Sequence, residues 1–133
     1  MTKWIVFFAL ALCLSGCETL NQKDQLERFH TSLTQYSAAW RWGRLSEVHS
    51  FHVSRDGEQP AFDREKLENF SVTGYKILEK TVNAEEATAD LYVEFSYYNE
   101  RQGTLKKIRE KQFWWYKEDI KRWLTEADIP EFK

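Results

Sequence analysis

One cysteine, three histidines and a handful of carboxylates and phenols carry the chemical prospects of this chain. Cys17 stands out by its context. Lys3 precedes eleven apolar residues, Trp4 to Leu14, and the small pair Ser15-Gly16 leads directly into the thiol, which is the layout of a secretory signal peptide. Eleven residues are too short to cross a bilayer, since a helix rises about 1.5 Å per residue and a membrane core about 30 Å thick needs roughly 20 of them. General-base candidates are Asp90, Glu94, His30, His49 and His52. The two carboxylates fall on the polar face of their strand, His30 sits beside Phe29 at the edge of a helical stripe, and His49 and His52 lie on or just past a short helix. Each is better explained by a structural or surface role than by catalysis. No zinc spacing links the three histidines, Cys17 is the only cysteine outside the apolar leader that holds Cys13, and neither a metal nor a cofactor is implied.

The segment Leu14-Ser15-Gly16-Cys17 resembles the lipobox of bacterial lipoproteins. The resemblance implies that Cys17 receives a diacylglyceryl group, that signal peptidase II cuts before it, and that the new amino group is acylated. One acyl chain holds a protein only marginally and two or more anchor it stably, at about 0.8 kcal/mol per buried CH₂. Glu18 in place of aspartate then favours the periplasmic side of the outer membrane. The competing reading is an ordinary secretory signal with a cysteine at the cleavage site. The expected organisation is a signal peptide over 1–16, a lipidated tether over 17–23 and one domain over 24–133.

Cleavage removes Lys3 and Cys13, so 18 of the 19 basic and all 21 acidic side chains remain and the net charge is near −3. That balance argues against nucleic acid as a partner. The 117 remaining residues bury roughly two-thirds of their unfolded surface, enough for a core without disulfides, and Cys17 has no cysteine to pair with.

Leu26, Phe29, Leu33, Tyr36 and Trp40 recur every three or four residues and predict an amphipathic helix ended by Gly43. A short helix follows, with Ser46 as its cap and Leu45, Val48 and Phe51 or His52 inward. Asp63 caps a third helical turn carrying Leu67 and Phe70. The period then changes to two. Phe70 to Val82 reads as a strand bulged at Gly74, and Ala87 to Tyr98 alternates cleanly, with Ala89, Leu91, Val93, Phe95 and Tyr97 on one face. Thr104 to Lys117 is the third strand, and a tight hairpin at Lys117 to Asp119 leads to a last strand ending at Thr125. In the tail, Pro130 ends regular structure and Phe132 is placed to tuck back.

Helices first and an antiparallel meander second define an α+β fold. This order, with Trp40-Arg41-Trp42-Gly43 and the hairpin Trp114 to Trp123, resembles the nuclear-transport-factor-like, ketosteroid-isomerase-like (polyketide-cyclase-like) superfamily over about Asp24 to Thr125. The resemblance implies a curved antiparallel sheet of about four strands wrapped around the helices as a cone-shaped, cystatin-like barrel. It leaves function open, because the superfamily hosts isomerases, cyclases, transport factors and plain binding domains.

Two groups of aromatic residues follow as candidate sites. Tyr36, Trp40, Tyr97 and Trp115 are expected to line the cone's cavity or simply to fill it. Facing Tyr97 and Trp115 inward leaves Tyr92, Tyr98, Trp114 and Tyr116 on the outer face, as sheet packing or as a surface for an envelope protein or a second copy of the chain. Lys106, Lys107, Arg109 and Lys111 read as a solvated strand segment that resists edge pairing. The favoured expectation is a non-enzymatic, lipid-anchored interaction domain. The alternatives are a carrier or sensor of a small apolar ligand and an isomerase or cyclase with an ionisable group deep in the cavity.

Overall fold

The computed structural model describes the backbone of residues 2–133 and the side chains from Leu20 onward, so the thiol of Cys17 lies outside the described residues. The first helix, α1 (Thr2–Arg41), continues through Leu20 to Lys23, where a tether was expected. Its buried stripe is Phe29, Leu33, Tyr36 and Trp40, joined by Ser32 and Ala39. Leu26, expected on that stripe, is 41% exposed. Gly43 stops α1 as expected. At φ +65° it takes the left-handed conformation that costs glycine least, and Arg44 N–H donates to the Ala39 carbonyl at 2.8 Å, the closing bond of a Schellman motif.

Helix α2 (Leu45–Phe51) buries Leu45, Val48 and Phe51. Ser46 lies inside it and does not cap it; its hydroxyl accepts a hydrogen bond from Arg64. The turn α3 (Arg64–Leu67) is capped by Asp63, which accepts from Lys66 N–H at 3.1 Å. Strands β1 (Phe70–Asn83), β2 (Thr88–Asn99), β3 (Leu105–Lys117) and β4 (Arg122–Thr125) form an antiparallel sheet in the order β1-β2-β3-β4. The helices pack on one face of this curved sheet, which makes the molecule an α+β fold. Ladder register shifts between Val72 and Gly74, the bulge read from the sequence, and again between Ile77 and Glu79.

The direction of β3 corrects the expected faces. Trp114 pairs with Ala89 and Gln112 with Leu91, so the even-numbered residues of β3 face the helices. Trp114 is 0% exposed, fitting above the small Ala89 and against Phe29, Tyr36 and Phe51. Tyr116 shares that side and packs on Trp123, with ring centres 5.7 Å apart. Trp115 points to the outer face, half-buried, and donates from Nε1 to the Val53 carbonyl at 2.8 Å. A strand places alternate residues on opposite faces, so this one-residue difference exchanges the β3 aromatics between the two faces and leaves Tyr92, Tyr97 and Tyr98 where they were expected.

Candidate functional site

A buried polar chain runs through the middle of the core. His52, just past α2, is fully buried, and its Nδ1 lies 2.7 Å from the Ala127 carbonyl. A carbonyl can only accept, so Nδ1 carries the proton and Nε2 is free to accept from the Tyr36 hydroxyl at 2.9 Å. The Gln112 amide nitrogen donates to the Tyr36 oxygen at 3.3 Å and to Glu110 Oε1 at 2.9 Å. Its oxygen accepts from Tyr75 O–H at 2.8 Å and from Trp114 Nε1–H at 3.1 Å. All four hydrogen-bonding positions of Gln112 are therefore used inside the protein.

Electrostatics follow from burial. Removal from water pushes His52 down to about 4 and Glu110 up to about 7, and it raises both tyrosine hydroxyls far above their usual value. The carboxyl of Glu110 would be poised for acid-base work near neutral pH. Its partner in hydrogen bonding, however, is Gln112, which also holds the Tyr75 hydroxyl, and Tyr36 and His52 are bonded to each other. The arrangement reads chemically as a satisfied internal network that fixes one packing of helix on sheet. The sequence places His52 near the short helix; Glu110 and Gln112 stay hidden because the face of β3 is not readable from its residues, and Tyr75 because the shift at Gly74 turns it to the same face as Val72.

Of the expected cavity residues, Tyr36, Trp40 and Tyr97 lie on the inner face, and each is packed against other rings. Tyr36 meets Trp40, Phe51, Tyr75 and Trp114 with ring centres 5.1–6.3 Å apart, mostly edge to face. Tyr97 packs on Phe70 and Phe132. Trp115 is not among them. His30 is exposed, and His49 stacks on Phe62 at 4.4 Å.

On the outer face Tyr92 and Tyr98 are half-buried as expected, and Phe113 and Trp115 stand there in place of Trp114 and Tyr116. A groove of about 450 Å³ crosses this face, lined by Glu79, Asp90, Tyr92, Lys111, Phe113 and Glu126. Arg55 lies over the Phe113 ring at 4.6 Å and bonds Glu126 at 2.9 Å. Higher on the same face, Arg109 and Lys107 flank Glu94 at 2.9 and 3.6 Å, and the Arg109 hydrogen bond holds the Glu94 carboxyl below its usual range.

Among the described residues no group of His, Cys, Asp or Glu is arranged to hold a metal ion, and no helix is long and apolar enough to cross a membrane. Comparison of the chain with family models, with curated proteins and with solved structures finds no match.

Proposed function

We propose that the protein is a lipid-anchored component of a bacterial envelope, attached through Cys17 to the periplasmic side of the outer membrane. Its α+β domain binds a protein partner on the outer sheet face and performs no chemistry of its own. The order of two helices, a helical turn and a four-stranded meander supports a place for it in the nuclear-transport-factor-like superfamily.

The outer groove is the observation that carries this reading. It puts half-exposed Tyr92 and Phe113 between charges of both signs, the mixture of amphipathic rings and polar rim common in protein interfaces. A carrier or an isomerase needs an open interior. Here Tyr36, Trp40 and Tyr97 are buried against neighbouring rings, and the ionisable groups of the core are bonded to each other.

Replacing the groove's rings tests the proposal. Tyr92→Ala and Phe113→Ala are expected to abolish recovery of a discrete partner with the tagged, anchored protein while leaving the thermal midpoint within a few degrees. Undiminished recovery with both variants would count against the outer face.

A further inference from the structure

The last seven residues bind the rest of the domain as a ligand would. From Ala127 to Lys133 the chain makes no backbone–backbone hydrogen bond among the described residues, so no ladder holds it. Side chains do. Phe132 is buried among Trp40, Phe70, Phe95 and Tyr97, with ring centres 4.6–5.8 Å away, and Pro130 is buried beside it. Asp128, Glu131 and Lys133 alternate outward to solvent. Each end of the segment is held by polar contacts from the domain: His52 Nδ1–H to the Ala127 carbonyl, then Lys106 Nζ to the Lys133 carbonyl at 2.9 Å and Lys133 N–H to the Tyr97 hydroxyl at 3.3 Å.

This seat is not completely filled. A groove of about 180 Å³ runs beside Ile129, Pro130 and Phe132, with Lys66, Leu67 and Phe70 on its other wall. Trp40 meets the Phe132 ring edge-on from the helix side of the seat. A segment without a ladder, held by the buried side chains of Pro130 and Phe132 and with room alongside, has the anatomy of a bound peptide.

We propose that the groove formed by α1, α3, β1 and β2 is a binding site for an extended peptide carrying an aromatic side chain two residues after a proline, and that residues 127–133 are its tethered occupant. Tethering holds the occupant at an effective concentration in the millimolar range, so a partner's peptide gains access when the strap is weakened or outcompeted. The site is separate from the outer sheet face and stands whether or not that face binds a partner.

The test uses the full chain with Phe132→Ala and a fluorescent peptide of sequence Ala127 to Lys133. Anisotropy is expected to show saturable binding at least about tenfold tighter than to the unaltered protein, where the tethered strap competes. The same peptide carrying Phe132→Ala is expected not to bind. No saturable binding to a Phe132→Ala protein that keeps its near-ultraviolet circular dichroism, or equal binding of the two peptides, would overturn the proposal. Phe132→Leu serves as a second, milder variant, expected to bind the peptide between the two extremes. Unfolding of both variants would make residues 127–133 a fixed part of the core and overturn it as well.

Discussion

Removing the Glu110 carboxyl should expose a pH dependence of stability that the native chain conceals. Burial pushes His52 from its usual 6.5 down to about 4, so between those pH values the unfolded chain binds a proton that the folded one refuses. Stability is therefore lost as the pH falls through that window, about 1.4 kcal/mol per unit and roughly 3 kcal/mol in all. Glu110 runs the other way. Burial lifts its carboxyl from 4.5 to about 7 against the opposing hydrogen bond from Gln112, so the folded chain keeps a proton that the unfolded chain has released. That contribution is complete below pH 4.5 and is lost as the pH rises to 7. From about pH 4.5 to 6.5 the two slopes oppose each other and nearly cancel. Glu110→Gln keeps an oxygen for the Gln112 amide and deletes only the titration. Urea unfolding followed by tryptophan fluorescence at half-unit pH steps should then give a nearly level native curve and a variant that loses about 1.4 kcal/mol for each unit below 6.5. Carboxyls held low by neighbouring donors, such as Glu94, Asp119 and Glu126, titrate alike in both chains, so the difference between the curves is the readout. Parallel curves would refute the reasoning, because they would mean that Glu110 is as well solvated in the fold as in the unfolded chain.

Three further outcomes follow from the same geometry. Trp114→Ala should cost about 3–5 kcal/mol by urea unfolding, whereas Trp115→Ala, which loses half-exposed area and one hydrogen bond to Val53, should cost about 1–2 kcal/mol; reversed sizes would put β3 in the opposite register. Gly43→Ala adds a side chain into open space but at φ +65°, so it should lower stability by about 1 kcal/mol and leave the circular dichroism spectrum unchanged. Cys17→Ala, which removes both the acylation site and the cleavage site before it, is expected to take the protein out of the outer-membrane fraction, with no change in the melting temperature of the domain.

Element types and the fold class were legible because periods and caps speak locally. Phe29, Leu33, Tyr36 and Trp40 repeat every three to four residues, Gly43 can take a positive φ, and Asp63 precedes a free Lys66 N–H, all visible without tertiary information. In β2 the clean alternation of Ala89, Leu91, Val93, Phe95 and Tyr97 identified the inner face correctly. In β3 the same logic had nothing to act on. Phe113-Trp114-Trp115-Tyr116 is aromatic on both faces, and only the pairing of Trp114 with Ala89 decides which ring goes inward. The polar network was hidden for the same reason, since Glu110 and Gln112 look like surface residues until register turns them toward Tyr36. Ser46 failed as a cap because Leu45 already begins the helix, leaving its hydroxyl to Arg64.

On this proposal the anchored domain meets its partner through the outer sheet face. A photoreactive residue at position 92, in the full-length protein in living cells, tests it most directly when compared with the same residue at position 120, which is 52% exposed on the β3–β4 hairpin. A discrete heterologous product is expected from position 92 and none from position 120, and that product should be lost when Cys17→Ala removes the lipid anchor. Equal products from both positions, or none from position 92 in the anchored chain, would contradict it.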